Sequence, residues 1–393
     1  MASKISKQRV FYGGWYQRTT LHLSEVYDFL ANCRSDLKLN TERLKKYHEE
    51  MGIETVTREA GYLEYVQMET VEGIRLRYFE DGLYVLDMEG DDVVEINARL
   101  KKYCDDKLSP ALGFIFSLGA PTPKILANIN SEHPTAVAIV TSNPEKYEVA
   151  EAVFGDVYSS LSTPELILKK TRGYIFLITE KKYENFVENL VDMQIFFREY
   201  KDQLHRYLNI HRVVWEEIEA IKERGYISGV EVDKTRMKLE GYQKTINLIG
   251  SRINQMAAYV HTRAGVSREL SMAEHLDRLF RYKFEVLTDT HSYTKEIWAM
   301  TTSYLNSAVQ IIGEIRQQAT NKSIQSLQLI TTYGVIGGLV GYLSRDSWPK
   351  VTESGVKYLA LLLVSTLLVN RLVSFIYQRN RYKLSFVERA KKF

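Results

Sequence analysis

The chain is poor in the residues that carry recognisable chemistry, and each shortage excludes something. Of its 393 residues only Cys33 and Cys104 are cysteines, and they lie far apart. So few thiols exclude a disulfide-stapled secreted scaffold and a cysteine metal site, and fit a reducing interior. The eight histidines are scattered, with no HExxH and no paired Cys/His spacing, which leaves zinc without a ligand set. His205 and His211 fall in a charged helical stretch and read as surface residues. Walker A, GxGxxG and GxSxG sequences are all missing, so no enzymatic activity is expected. The formal charge is only +3, too small for whole-surface attraction to nucleic acid, and no direct nucleic-acid partner is expected. Behind the lysines of MASKISKQRVFYGGWYQ stands no apolar run, so no cleavable signal peptide is expected.

What is present is a globular balance, 45% hydrophobic and 26% charged, in a chain long enough for more than one domain. Residues 1–181 read as an α/β domain, because short apolar runs alternate with helical patterns. Residues 73–79 and 83–88 read as strands joined through Asp81-Gly82, a hairpin signal. TAVAIVT (135–141) and GYIFLIT (173–179) read as buried strands, and Asn143 as the N-cap of a helix through Glu151. FYGGWYQRTTLHL (11–23) gathers aromatics around Gly13-Gly14 beside Arg18 and His22. Core packing is the favoured role for these rings, with stacking on a nucleotide base as the alternative.

From residue 182 glycine thins out and proline is missing until Pro349. Residues 182–322 read as a stalk of long helices, roughly 184–224, 233–262 and 271 onward, broken at 225–229 and at Gly265. Nothing interrupts 271–333, a rod of roughly 90 Å at 1.5 Å per residue. Phe284, His291, Trp298, Leu305 and Ile312 recur every seven residues, with Phe280, Leu287, Thr294, Thr301, Ala308 and Ile315 as the partner row. The polar members point to a larger bundle with a partly wet axis; the alternative is antiparallel packing of the three helices on one another.

Residues 323–343 contain no charge and 356–377 are dominated by YLALLLVSTLLV. Both read as transmembrane helices, about 20 residues being what a bilayer core requires. Asn321, Gln325, Gln328 and Thr332 form one polar stripe on the first, as a pore lining would. Gly334 with Gly338, and Gly337 with Gly341, form small-xxx-small pairs for helix contact. The segment 344–355 reads as an outer loop, whose Asp346 and Glu353 are candidates for gathering cations. The tail 378–393 carries Arg379, Arg381, Lys383, Arg389, Lys391 and Lys392 against Glu388. This basic excess places both termini in the cytoplasm of a multi-pass protein of the cell (inner or plasma) membrane, in contact with membrane lipid.

This layout resembles the CorA-type magnesium transport family: an α/β N-terminal cytoplasmic domain, a long α-helical stalk, two C-terminal transmembrane helices and a basic tail. The resemblance implies a homopentamer whose first span lines a central pore, with Asn321, Gln325, Gln328 and Thr332 as polar rings around hydrated cations such as Mg²⁺. The family's Gly-Met-Asn signature is replaced here by Gly341-Tyr342-Leu343-Ser344-Arg345, so magnesium selectivity is not carried over. The expectation is therefore a CorA-like oligomeric ion channel or transporter, most simply for cations, with a cytoplasmic regulatory domain. Divergent members of the family act as membrane effectors in nucleotide-signalling antiviral systems, which makes a small nucleotide ligand an alternative input. A membrane tether without transport is the third reading. Asp87, Glu89, Asp91 and Asp92, around Gly90, have oxygen ligands at short spacing for a regulatory divalent cation, although a solvated turn explains the same run.

Overall fold

The computed structural model describes residues 5–16, 22–60, 63–116, 135–164, 166–269, 274–343, 353–379 and 381–384. The chain forms two compact units, one of Met1–Leu208 with Ser251–Lys295, the other of Asn209–Gly250 with Glu296–Phe393.

The first unit is built on nine strands: β1 (Ile5–Trp15), β2 (Ile53–Glu59), β3 (Tyr65–Thr70), β4 (Arg75–Phe79), β5 (Leu83–Glu89), β6 (Thr135–Thr141), β7 (Ser159–Ser162), β8 (Leu166–Lys170) and β9 (Tyr174–Thr179). They form one sheet in the order β2-β3-β4-β5-β1-β6-β9-β8-β7. Neighbours are antiparallel except β6 and β9, which run parallel. β1 is central, with Phe11 opposite Asp87 of β5 and Ala136 of β6. The expected Asp81-Gly82 hairpin joins β4 to β5, and Gly82 takes the positive φ of 86° that the turn demands.

Strand alternation sends successive side chains to opposite faces of this sheet. Val10, Tyr12, Val66, Met68, Leu76, Leu86, Val137 and Ile139 enter one apolar cluster. It is closed by helices α1 (Leu23–Asn32), α2 (Thr41–Met51), α3 (Val93–Tyr103) and α4 (Ser109–Ile115). The residues between them on β1, Arg9, Phe11, Gly13 and Trp15, face the other way. Trp15 stacks on Tyr200 at 5.6 Å and meets Phe196 and Tyr259 edge-on, so these aromatics pack. Asn143 makes no side-chain cap; a 3₁₀ turn, Pro144–Lys146, follows it, and the short helix α5 (Glu151–Phe154) starts later.

The long helices are α6 (Val187–Glu223), α7 (Gly229–Glu269) and α8 (Glu274–Leu343), each contributing residues to both units. Gly265 does not break α7, which runs on to Glu269. All eleven members of the two heptad rows on α8 are buried, and their partners belong to the same chain. In the first unit Phe280 and Phe284 lie on Phe197, with centroids 5.6 and 4.8 Å away, and the His291 ring is 2.6 Å from the Ile253 carbonyl. In the second, Thr301 bonds His211, Tyr304 stacks on Trp215 at 4.5 Å, and Gln243 donates to Asn306. The residue order of these contacts makes α6 parallel and α7 antiparallel to α8. Thr294 and Thr301 also bond to carbonyls four residues back, which satisfies polar seam positions without water. The seam is thus three helices of one chain packed together.

The expectation of two transmembrane helices, and with it the multi-pass membrane location, is corrected. Among the described residues no helix is long and apolar enough to cross a membrane. Residues 323–343 are the end of α8, and 356–377 fall within α9 (Glu353–Arg379). Gln325, Gln328 and Thr332 on α8, and Asn370 and Arg371 on α9, are polar residues at exposed places along these stretches. The chain beyond α9 contributes β11 (Arg381–Lys383), which pairs with β10 (Tyr226–Ser228) between α6 and α7. Leu384 adds an N–H to the Gly225 carbonyl at 2.9 Å.

Candidate functional site

The residues singled out from sequence do not converge. Asn321, Gln325, Gln328 and Thr332 are exposed on α8, and Gly337 and Gly338 would meet nothing within 4 Å if given a Cβ. Asp346 lies outside the described residues, while Glu353 opens α9 and accepts from Lys357 at 2.6 Å. Each acid of the 87–92 run that bonds through its side chain has its own task. Asp87 is buried and pairs with Arg9 and, at 3.0 Å, with Arg75. Glu89 takes Lys7 at 3.0 Å, and Asp92 caps α3 by accepting from the Val94 and Glu95 amides at 2.9 Å. Asp91 contributes its main-chain carbonyl to Gln8. Among the described residues no group of three or more His, Cys, Asp or Glu side chains is placed to hold a metal ion.

The side chains on the α6 face of the sheet form an ion-pair layer. Arg77 holds Asp192 by two bonds of 2.7 and 2.8 Å, both groups buried. Glu188 takes Arg9 and Arg75; burial pushes its carboxyl up, but Arg77, Arg75 and Arg9 outweigh that and hold it at about 2. Next to them Arg263 of α7 clasps Asp81 at 2.6 and 2.8 Å, with its guanidinium 4.5 Å from the centre of the Phe79 ring. These cations are balanced, so the layer is structural.

A different group of cations is not balanced. Lys170 at the end of β8, Arg172 in the turn to β9, Arg198, Lys201, Asp202 and His205 on α6, and Tyr282 and Lys283 on α8 line one open cavity of about 640 Å³. Arg198 is held by Glu199 at 2.8 and 2.9 Å and by the Gly13 carbonyl. Among the described residues, Lys170, Arg172, Lys201 and Lys283 enter no ion pair. Lys283 is half-buried, donates to Gln194 Oε1 at 3.0 Å, and lies 5.2 and 5.8 Å from the Phe197 and Phe280 centroids. Burial, and then repulsion from Lys170, pulls its amine down to about 8. Lys170 is lowered too, by burial and then by Lys201. Asp202 is the one carboxylate among the described residues that line the cavity, and burial, then the neighbouring Glu199, push it up.

No family model matches the sequence, and no curated protein does. Among solved structures, the chain is similar to the CorA magnesium transporter from Methanocaldococcus jannaschii. The alignment covers 64% of this chain and 93% of that one at 12% identity, with a TM-score of 0.27. At those values the likeness carries no residue role from one chain to the other.

The cleft has a sequence signature that is easy to pass over. Gln194, Phe197, Arg198, Lys201, Asp202 and His205 recur at three- and one-residue steps, one face of a helix. Lys169-Lys170-Thr171-Arg172-Gly173 is a basic turn. What the sequence cannot display is that α8 brings Lys283 to both. His205, read as a surface residue, is exposed and sits on the rim of this cavity.

Proposed function

We propose that the α/β unit is a receptor for a small phosphate-bearing ligand, bound in the cleft between β8, α6 and α8. The observation that carries this reading is the set of four cations, Lys170, Arg172, Lys201 and Lys283, that enter no ion pair among the described residues, around a cavity of about 640 Å³. Like charges gathered in a partly desolvated cleft repel, and an anion turns each repulsion into an attraction. The volume is that of a small-molecule site. Tyr158 and Tyr282, both exposed on its lining, offer faces on which a planar ring could stack, so a nucleotide fits the chemistry.

Calorimetric titration of the full chain with pyrophosphate and a nucleotide panel is expected to show binding. Lys283→Gln or Lys170→Gln should weaken it about 10-fold or more, the value of one charge-assisted hydrogen bond. Facing the cleft are Lys170, Arg172, Arg198, Lys201, Asp202, His205 and Lys283. Lys283, with its amine at about 8, is charged below that pH and neutral above it. Affinity should therefore rise as pH falls from 9 to 7, with proton uptake on binding. Absence of heat with every phosphate-bearing compound would reject the reading.

The helical unit supports a second property, assembly with further copies of this chain. On α9, Leu361, Val364, Leu368, Leu372 and Phe375 are 55–69% exposed and recur at three- and four-residue steps, the pattern of a helix-packing stripe. Native mass spectrometry is expected to find a multimer that Leu368→Glu dissociates; a wild-type monomer at micromolar concentration would exclude assembly.

A further inference from the structure

We propose that Lys283 is an acylation site, modified by acyl phosphates that the cations of the cleft draw in. The proposal rests on the anion-binding reading for delivery of the electrophile. The attack itself depends on the surroundings of the amine. Lys283 lines an open cavity, so a small reagent can reach it. Its hydrogen bond to Gln194 Oε1 at 3.0 Å orients one N–H, which in the neutral amine leaves the lone pair free. Phe197 and Phe280 shield it from water on one side. Lys170, Arg172 and Lys201 line the same cavity and supply positive charge for a phosphate that gains electrons as it leaves.

The step balances without a further reagent. The lone pair on Nζ attacks the acyl carbon, and the C–O bond to phosphorus's oxygen breaks. Inorganic phosphate departs with the electron pair, and the displaced N–H proton goes to solvent. The product is an uncharged amide. The conversion of a cation to an amide removes one attraction for an anionic ligand, so the cleft would bind such a ligand more weakly once modified.

A rate advantage follows from the position of the amine. With its midpoint at about 8, roughly a quarter of Lys283 is free base at pH 7.5, against about 0.1% for an ordinary lysine. Lower basicity costs nucleophilicity, about 10-fold if amines follow the trade-off known for thiols. The net expectation is that Lys283 reacts about 20-fold faster than an exposed lysine.

The test is incubation of the full chain with acetyl phosphate at pH 7.5, with acetylation at each lysine followed by peptide mass spectrometry. Lys283 is expected to be modified at least about 10-fold faster than the exposed Lys244 and Lys357, and pyrophosphate should slow it selectively. Lys283 reacting no faster than Lys357 overturns the proposal. If pyrophosphate binds by calorimetry yet acetylation is unselective, the modification site is removed and the anion-binding reading stands. Selective acetylation that pyrophosphate does not slow overturns delivery through the cleft.

Discussion

Asp81→Asn is expected to destabilise the α/β unit by about 3–5 kcal/mol, the usual cost of leaving one member of a buried ion pair uncompensated. Asp81 and Arg263 are both 2% exposed in their side chains and meet through two bonds. The asparagine keeps the shape and can still accept from the Leu83 amide, the turn contact at 3.2 Å, so the loss isolates the charge. The guanidinium has Phe79 and Phe196 rings beside it, a poor substitute for water or a carboxylate. Combining Asp81→Asn with Arg263→Met should cost less than the sum of the two single changes, because the stranded charge is gone. Urea midpoints of the four proteins check this; a single-mutant loss under about 1 kcal/mol would show that water reaches the pair.

Gly13→Ala is the second large effect. A Cβ on Gly13 would lie 2.5 Å from the Tyr84 carbonyl oxygen and 3.2 Å from Val85 Cα, with Ile195 Cδ1 at 3.3 Å on the α6 side. The first two are backbone of β5, in the ladder that pairs Gly13 with Val85 and Gly14 with Tyr84. Relief therefore requires β1 and β5 to move apart at the centre of the sheet, and a loss at or above about 1–3 kcal/mol is expected. Gly113→Ala is the control: it lies in α4, its Cβ would meet nothing within 4 Å, and it should gain up to about 1 kcal/mol. Thermal midpoints moving in opposite directions confirm the account, and a Gly13→Ala protein as stable as the parent would sink it.

Some of this was legible in the sequence for identifiable reasons. The Asp81-Gly82 hairpin is local turn chemistry, and TAVAIVT is buried because its uninterrupted apolar run, 136–140, has no polar face to give to water. The heptad rows of α8 are legible because burial on a helix repeats with its turn. Which elements would cover that seam was not, since a helix face carries no record of whether its partner is another chain or an earlier segment of its own. Central strand β1 was missed because Arg9, Gly13 and Gly14 interrupt its apolar pattern. Each is explained by something distant in sequence: Glu188 and Asp87 for Arg9, the β5 backbone for Gly13 and the Tyr84 side chain for Gly14. The two apolar segments read as spans because length without charge resembles one, whereas no helix among the described residues is long and apolar enough to cross a membrane.

By itself, then, the sequence determined the elements whose formation depends on neighbours a few residues away: the hairpin, the buried strands, the long helices and their buried face. It also excluded the common metal and nucleotide-phosphate motifs. Only the tertiary structure decided that the acids of the 87–92 run are separately engaged, that Asp81 meets Arg263 from 182 residues away, and that Lys283 joins Lys170 and Lys201 around one cavity. Charge acts through space, so whether a lysine is a solvated surface group or part of an unbalanced cleft depends on what folding brings beside it.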